Sequence, residues 1–321
     1  MIRTHLDLQE SEVLAELANG SGFDVHCDQI EAGELAGTVD FVATPDVQFF
    51  RDRFGRAVLI HGAVPQGMPS FTFPESDQEA AVFCGQKTTA QTLGVIEAGT
   101  GYSYGSAGGQ GIFGCCVTEE RLERALNVQH QTTLQQVMPR TGNLEVAAVC
   151  MAAMRHVMNA AFVSPPPESH DLILDPDAPA RCLEDALLAA IGVALTSRMP
   201  SSPRPLAGRN HWRCVRLVSE YIGDHLGQPL RMEALCLVAG VSERTLETSF
   251  LEVTGVNPRR FIKIRRLNAV RHILHLADPG EASVKAVALQ AGFWHLGHFA
   301  SDYKKHFAEC PSRTLANRHL T

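Results

Sequence analysis

Arg244, Glu247 and Thr248 are polar side chains spaced three and four residues apart in the last third of the chain. On a helix this spacing places them on one face. An arginine there can donate two hydrogen bonds to guanine, a glutamate can accept one from cytosine, and a threonine can bond to a base or a phosphate. With Ser242 and Thr245 they form a candidate base-contacting face, although Glu247 has the alternative of pairing with a neighbouring side chain.

The elements that must position this face are two helices and a tight turn within residues 234–258. Gly240 allows the chain to reverse without a Cβ clash, and Ser242 is a residue type that caps helix N-termini. Leu246 and Phe250 lie four residues apart on the opposite face, where we expect them to dock the second helix on a core. An exposed helix held in this way fits the major groove of B-DNA.

The same pattern recurs within residues 286–311. Gly240 matches Gly292 at an offset of 52 residues, whereas Leu246, Phe250 and Pro258 match residues 53 positions later, namely Phe299, Tyr303 and Pro311. The outward face of this second copy is smaller and less polar, so we expect it to contact fewer bases. Its candidate base-contacting residues are Leu296, His298 and Ser301.

The last third of the chain is basic and the remainder is acidic. From Leu206 onward there are 16 Lys and Arg against 10 Asp and Glu, and before it 12 against 25, which gives the total of −7. This distribution is expected where one domain meets phosphates and the other does not. Arg265 and Arg266 serve either phosphates or ion pairs inside the domain, and the candidate phosphate contacts are Arg259, Arg260, Lys263, Lys304 and Lys305.

The composition predicts two domains of an α+β protein, joined by a linker at residues 199–208 that contains three prolines and two serines. Residues 209–321 are predicted to form an all-α DNA-binding domain of about seven helices, with helix-turn-helix units at 231–254 and 283–307. Residues 1–198 are predicted to form an effector-binding and dimerisation domain. It begins with a short helix at 6–18, is β-rich at 23–117, and is helical at 118–198, with helices at 118–128, 144–162 and 181–197.

Within the β-rich part, short apolar runs alternate with Pro and Gly turns, which is typical of a sandwich or a small barrel. The runs are 37–43, 47–50, 57–60, 70–73, 80–84, 93–96 and 112–117. The Gly-rich segment 99–111 does not match the P-loop pattern and no helix pattern opens directly behind it, so we expect a flexible hairpin or bulged turn there rather than a nucleotide loop. The adjacent Cys115 and Cys116 are expected to be buried in a strand, with a redox sensor as the alternative.

With these motifs in place, the C-terminal domain resembles the DNA-binding domain of AraC/XylS-type transcription regulators. The matching stretches are 239–246 (AGVSERTL), 255–258 (GVNP), 265–268 (RRLN) and 287–311. The resemblance implies that two helix-turn-helix units, joined by a long central helix, enter successive major-groove segments of double-stranded DNA. It also implies an N-terminal cupin-like β-barrel that binds an effector, followed by helices that form a homodimer.

Two residues of the second unit depart from the family pattern. Ala308 stands where members of the family usually have glycine, so the backbone there is strained if it needs a positive φ. Gly297 lies near the start of the same helix, where glycine costs about 1 kcal/mol relative to alanine. The second unit is therefore expected to be the looser of the two.

Two hypotheses describe how such a regulator would be controlled. A small-molecule effector would need a cavity in the β-rich part, with His61, Phe83, Tyr102 and Tyr104 as candidate lining. A filled interior would instead favour control by a protein partner or by abundance. RNA polymerase is a further candidate partner.

The alternative function is a cupin-like metal-dependent enzyme with a helical appendage. Such chemistry needs clustered His and carboxylate ligands, whereas His26 and His61 are the only histidines in 23–117 and lie far apart in the sequence. His295, His298 and His306 have no Cys or carboxylate that completes a ligand set. We therefore predict no catalytic residue, metal or cofactor.

Nine scattered cysteines fit the reducing cytoplasm. The N-terminus is unlike a signal peptide, and no apolar run reaches the roughly 20 residues that span a bilayer. We therefore expect a cytoplasmic protein without a membrane partner.

Overall fold

The computed structural model describes residues 2–8, 11–76, 81–163, 178–197, 206–280 and 282–316. Most of the predicted linker, residues 199–205, lies outside these ranges, as does residue 80 of one predicted strand. From Leu206 the chain is helical, three residues before the predicted start of the DNA-binding domain at residue 209. The position of the domain boundary therefore stays a prediction.

The N-terminal part is built on two antiparallel sheets. Its strands are β1 Ile2–Leu8, β2 Asp24–Gln29, β3 Gly37–Ala43, β4 Val47–Phe54, β5 Val58–Ala63, β6 Ser70–Pro74, β7 Ala81–Phe83, β8 Gln86–Lys87, β9 Thr92–Ile96, β10 Gly101–Ser106, β11 Gln110–Val117 and β12 Gly142–Glu145. The larger sheet has the order β1-β3-β4-β11-β6-β9-β12, and the smaller has the order β2-β5-β10-β7-β8. Among the described strands the two sheets do not join into one closed barrel, so the structure has two packed sheets and the cupin-like barrel stays a prediction.

The sheets pack face to face because alternate side chains of each strand turn inward. Val39, Phe54 and Ile112 of the larger sheet share one buried cluster with Val25 and Ile60 of the smaller sheet. The next residue along each strand faces the other way. The larger sheet therefore presents a second apolar face to the helices that follow it.

Those helices cover the outer face of the larger sheet. The helices of the N-terminal part are α1 Ser11–Gly20, α2 Glu119–His130, α3 Leu134–Val137, α4 Ala148–Phe162 and α5 Ala178–Thr196. Phe49, Phe113 and Cys115 of the sheet share a buried cluster with Met154 of α4 and Ile191 of α5. The predicted helices at 118–128, 144–162 and 181–197 are thus present with shifted ends.

Several local predictions in this part were wrong. Residues 6–8 belong to β1 rather than to a helix, and the helix near them begins only at Ser11. The Gly-rich segment contains β10 and the start of β11, and Leu144 lies in β12 rather than in a helix. In β10 the glycines and serines alternate with Tyr102 and Tyr104, whose packing fixes the strand against the low β propensity of glycine.

The adjacent cysteines are buried in β11 as predicted. Cys115 and Cys116 are both 0% exposed, and the Cys116 thiol is 2.7 Å from the Ser70 hydroxyl. Burial raises the pKa of both thiols, to about 12 for Cys116. A thiol that stays protonated is a poor nucleophile, so the redox-sensor alternative has no support in this geometry.

The C-terminal part contains seven described helices, as predicted. They are α6 Leu206–Asp224, α7 Met232–Ala239, α8 Glu243–Thr254, α9 Pro258–Leu276, α10 Val284–Gln290, α11 Leu296–Phe307 and α12 Pro311–Ala316. The central helix α9 belongs to two cores: Phe261 and Ile264 pack with α6, α7 and α8, whereas Val270 and Leu274 pack with α10 and α11. One helix thereby fixes both helix-turn-helix units in one frame.

Among the helices that the structure describes, none is both long and apolar enough to cross a lipid bilayer.

Candidate nucleic-acid interface

The first unit, α7 and α8, holds its second helix by a capped turn and a buried apolar face. Gly240 has φ +66°, the left-handed conformation that the turn requires. The Ser242 hydroxyl accepts a hydrogen bond from the Thr245 backbone N–H at 3.3 Å, so Ser242 is the N-cap of α8. Leu246 and Phe250 are both 0% exposed, which confirms that they dock the helix on the core.

The opposite face of α8 is exposed along its first two turns. Arg244, Thr245, Glu247 and Thr248 all point to solvent, together with the cap Ser242. The Thr248 hydroxyl donates to the Arg244 carbonyl oxygen at 2.9 Å, which leaves its oxygen as an acceptor. Within the described residues neither Arg244 nor Glu247 has an ion pair, so both side chains are available to a ligand.

The second unit, α10 and α11, repeats the turn with a closer approach of the backbone. Gly292 has φ +83°, and a Cβ there would lie 2.9 Å from the Leu226 carbonyl oxygen and 2.9 Å from the Arg266 guanidinium carbon. Glycine is therefore required at this position by both backbone conformation and space. Phe299 and Tyr303 are buried as predicted, at the positions that match Leu246 and Phe250.

The exposed face of α11 is smaller than that of α8. His298 and Ser301 are exposed, but Leu296 is half-buried and packs on the apolar cluster of the second unit. Its contact with a base stays a prediction, since its side chain also covers the core beside Phe293 and Phe299. A Cβ added at Gly297 would have no atom within 4 Å, so no packing requirement explains this glycine.

Matching residues cap the two helices at their C-termini. Gly255 ends α8 with φ +72°, and Ala308, 53 residues later, ends α11 with φ +61°. The condition for strain at Ala308 is therefore met, because alanine occupies a left-handed conformation there. At the N-terminus of α11, His295 makes no side-chain cap hydrogen bond, unlike Ser242. Both ends of α11 are thus less well capped than those of α8.

The candidate phosphate contacts divide into free and engaged cations. Arg260, Lys304 and Lys305 are exposed and have no ion pair among the described residues, whereas the exposed Arg259 lies 4.0 Å from the Glu243 carboxylate. Lys263 instead forms an ion pair of 2.5 Å with Asp302, which ties α9 to α11. Its role in phosphate contact stays a prediction that would need this pair to open.

Arg265 and Arg266 are both engaged inside the protein. Arg266 donates to the carbonyl oxygens of Leu226, Gln228 and Gly292, so it holds the second turn against the end of α6. Arg265 forms an ion pair with Asp28 of β2, in the N-terminal part. The second of these contacts joins the two parts of the chain.

The central helix α9 also completes the edge of the smaller sheet. Strand β2 is an edge strand among the described ones, so the outward backbone N–H and C=O of Gln29 at its end have no neighbouring strand to pair with. Asn268 of α9 accepts from that N–H and donates to that C=O, both at 3.1 Å, and the His306 ring nitrogen lies 2.9 Å from the same oxygen. A single amide side chain therefore takes the place of a neighbouring strand.

The four candidate effector-pocket residues do not line one common cavity. Phe83 and Tyr104 border a cavity of about 20 Å³ inside the sandwich. His61 and Tyr102 border a cleft of about 580 Å³ between the smaller sheet and α6. Tyr102 also borders a separate cavity of about 60 Å³ under α1. The sandwich interior is thus neither hollow nor completely filled.

The two histidines of the β-rich part are close together, which corrects the expectation drawn from their separation in sequence. His26 and His61 are register partners on β2 and β5, with stacked rings 5.4 Å apart. Burial lowers the pKa of His61 to about 4, so its ring is neutral at pH 7. Among the described residues there is no group of three or more His, Cys, Asp or Glu side chains that could hold a metal ion.

Sequence reasoning missed the residues that join the two parts, Asp28, Gln29 and Asn268. Asn268 lies within the matched stretch 265–268, but no local signal pairs it with β2, which is 239 residues away. Asp52, a buried carboxyl in β4, was also missed because a single polar residue in a strand suggests an outward position.

The comparisons with known proteins concern mainly the C-terminal part. A model of a helix-turn-helix domain family matches residues 235–317. The "Probable thc operon regulatory protein" of Rhodococcus erythropolis is 34% identical over 146 residues, which are 46% of this chain and 42% of that protein. The "XylDLEGF operon transcriptional activator 2" of Pseudomonas putida is 37% identical over 103 residues, 32% of this chain and 66% of the relative.

One solved structure is that of a probable AraC family transcriptional regulator from Rhodopseudomonas palustris. It is 37% identical, covers 33% of this chain and 98% of that chain, and has a TM-score of 0.31. The chain thus spans less than half the length of the R. erythropolis relative and about two thirds of the P. putida one.

Two helix-turn-helix units on one shared central helix define the C-terminal part as a double helix-turn-helix domain. From its matched motifs and relatives, this domain belongs to the AraC/XylS family.

Proposed function

We propose that the protein is a sequence-specific transcription regulator whose helices α8 and α11 enter successive major-groove segments of double-stranded DNA. In this arrangement α8 supplies most of the base contacts through Arg244, Glu247 and Thr248. The helix α11 supplies fewer, through His298 and Ser301, while Arg259, Arg260, Lys304 and Lys305 contact phosphates.

The observation that carries the proposal is the pair of exposed recognition faces, one on α8 and one on α11, which the shared central helix α9 holds in one frame. Each face lies opposite a buried pair, Leu246 with Phe250 and Phe299 with Tyr303. The docked N-terminal part leaves both faces uncovered, since Arg244 and His298 are exposed in the full chain. The same chain is therefore able to bind DNA without first separating its two parts.

The test of the function is selection of bound sequences from random double-stranded DNA by the full-length protein. We expect two enriched segments separated by about one helical turn, ~10 base pairs. Recovery of no enriched sequence would contradict the proposal.

Arg244→Ala is expected to weaken binding to the selected sequence and to relax the preference at one base pair by about 1–3 kcal/mol. The measurement is fluorescence anisotropy with a set of single-base variants of the site. Lys87→Ala, which removes an exposed cation from β8, is the control and should change nothing. Equal loss on every sequence would instead assign Arg244 to a phosphate.

We further propose that the protein acts as a homodimer assembled through the helices of the N-terminal part. Exposed apolar side chains on these helices support this assignment, namely Val128, Val149 and Val193. Sedimentation velocity at micromolar concentration is expected to give a dimer, and a single monomer boundary would contradict it.

Control by an effector at the N-terminal part completes the proposal. RNA polymerase is the partner expected of a transcriptional activator, which is what the name of the P. putida relative says of that protein. The nine cysteines, all free thiols in the structure, support a cytoplasmic location.

A further inference from the structure

The carboxyl group of Asp52 is buried between the two sheets without a partner. Asp52 lies in the middle of β4 and is 8% exposed. Directly opposite it are Val39 on β3 and Ile112 on β11, so both cross-strand neighbours are aliphatic. Among the described residues no hydrogen-bond donor reaches Asp52 Oδ1. A buried carboxylate in such surroundings is costly, and natural proteins keep one where it has a ligand to bind or a reaction to serve.

This carboxyl group borders a cavity of about 60 Å³ that lies under α1. Leu14 and Leu17 of α1 form one wall, and Phe23 and Phe50 form another, with their rings edge to face at 6.0 Å. A water molecule needs about 10–15 Å³ of such space, so the cavity holds a group of about four heavy atoms. Its walls are apolar apart from Asp52, Ser21 and the Tyr102 hydroxyl.

The chemistry of this site selects the charge of its ligand. An ammonium group can donate hydrogen bonds to Asp52 and neutralise its charge, while the attached hydrocarbon occupies the apolar walls. A neutral alcohol would donate one hydrogen bond but leave the carboxylate uncompensated. A carboxylate ligand would place two negative charges side by side.

We propose that this cavity binds the head of a small aliphatic or aromatic amine, with its ammonium group on Asp52 and its hydrocarbon against α1, Phe23 and Phe50. The assignment rests on the proposed function, because it names the chemical class of effector that the N-terminal part senses.

The elements that line the cavity are also those that hold the DNA-binding domain. Helix α1 carries Glu12, whose carboxylate lies 3.5 Å from the Arg271 guanidinium of α9. Strand β2 lines the cavity through Val25 and holds α9 through Gln29. A ligand that shifts α1 or β2 therefore acts on the docking of α9, which carries both helix-turn-helix units.

Four other titratable groups face Asp52, and Asp52 is the one of the five whose charge changes near neutral pH. They are Cys27 on β2, Tyr102 and Tyr104 on β10, and Asp40 on β3. Burial raises the pKa of Cys27, Tyr102 and Tyr104, so these three stay neutral. Asp40 pairs with Arg51 at 2.6 Å, and hydrogen bonds from His5 and Arg51 outweigh its partial burial and lower its pKa. Burial raises the pKa of Asp52 to about 7, and helix α1 contributes no titratable side chain to the lining.

The experiment compares three probes that share a four-carbon chain and differ in charge, namely n-butylamine, 1-butanol and butyrate, on the full-length protein. The readout is the shift in Tm at equal concentration and ionic strength, at about pH 6 and pH 8. We expect n-butylamine to raise Tm, more at the higher pH because Asp52 is then ionised while the amine stays charged. 1-Butanol should have a smaller effect that does not depend on pH, and butyrate none.

Asp52→Asn is expected to weaken n-butylamine binding by on the order of tenfold and to abolish its pH dependence. Asp7→Asn, which removes an exposed carboxylate from β1, should retain both. An equal response to n-butylamine and 1-butanol, or an amine response that survives in Asp52→Asn, overturns the assignment. Should Asp52→Asn not fold, the pH profile of n-butylamine binding to the unmodified protein decides alone, since a profile flat between pH 6 and pH 8 contradicts a role for Asp52.

DNA binding by the unmodified protein is measured in parallel, both with and without n-butylamine. A protein that binds a selected DNA sequence but ignores n-butylamine refutes this inference alone. A protein that binds no DNA sequence refutes the proposed function, whatever the amine does.

Discussion

At the scale of single residues, the partners of a buried polar group decide whether it stabilises the fold. Arg265 and Asp28 are both largely buried and neutralise each other across the two parts of the chain. Asp52 is buried to a similar degree, but no cation among the described residues counters the effect of burial on its pKa. The charge of Asp28 is therefore paired, whereas the charge that Asp52 carries when ionised is not.

Asp52 is expected to make the free energy of unfolding fall as pH rises from about 4 to about 7. The folded protein holds this proton up to a pKa of about 7, whereas the unfolded chain loses it near the ordinary value of 3.8. The stabilising contribution of this proton is therefore fully present below the pKa of the unfolded chain. It is lost as pH rises through the pKa of the folded protein, and the loss is on the order of 4 kcal/mol in total. Urea denaturation across this range measures the slope.

Asp52→Asn removes the titrating group and serves as the comparison. Its stability should equal that of the unmodified protein near pH 4 and exceed it by a few kcal/mol near pH 8. If the free energies of unfolding of the two proteins changed in parallel with pH, the ionisation of Asp52 would have no effect on stability, which would contradict the prediction.

The exposed recognition residues could be predicted from the sequence, whereas the buried partners could not. Arg244 and Glu247 follow from helix periodicity, a property of neighbouring residues. The pairing of Arg265 with Asp28 joins residues 237 apart, and the pocket beside Asp52 is made by five strands and α1. Such contacts depend on how distant elements are assembled, which one sequence does not encode locally.

At the scale of elements, helix boundaries in the C-terminal part were predicted within about two residues, apart from the early start of α6. Their caps and turn glycines are short-range signals. The strands of the N-terminal part were harder where side chains are small. Strand β10 gains its stability from pairing with β5 and β7 and not from its own composition.

Ala308→Gly is expected to stabilise the protein by about 1 kcal/mol, because glycine removes the strain of a left-handed alanine. Ala308 is exposed and ends α11 with φ +61°. The measurement is the shift of the urea midpoint.

Gly255→Ala is the reciprocal control at the matched position of the first unit. No atom lies within 4 Å of a Cβ built there, so its cost comes from the backbone alone and should be about 1 kcal/mol in the opposite direction. Destabilisation by both substitutions would contradict this account of Ala308.

At the scale of the whole molecule, the N-terminal part docks on the central helix and away from the recognition faces. The contacts include the Asn268–Gln29 pair, the Arg265–Asp28 ion pair and a hydrogen bond of 2.6 Å from the Trp212 indole to the Ser103 hydroxyl. Leu59 of the smaller sheet and Ile30, which follows β2, also join the core of the first unit. The recognition faces are thus already uncovered while the two parts are docked.

Asn268→Ala is expected to loosen this docking without changing the recognition faces. The substitution leaves the buried Gln29 N–H without its acceptor, which costs about 1–3 kcal/mol. The unfolding of the two parts, coupled through α9, should then separate into two calorimetric transitions. Binding to a single half-site should stay as it was, whereas the preference for one spacing between tandem sites should relax.

Asn127→Ala, on the exposed face of α2, provides the comparison and should leave the calorimetric profile intact. A single transition at an unchanged temperature in Asn268→Ala would mean that the contact of Asn268 with the edge of β2 does not hold the two parts together.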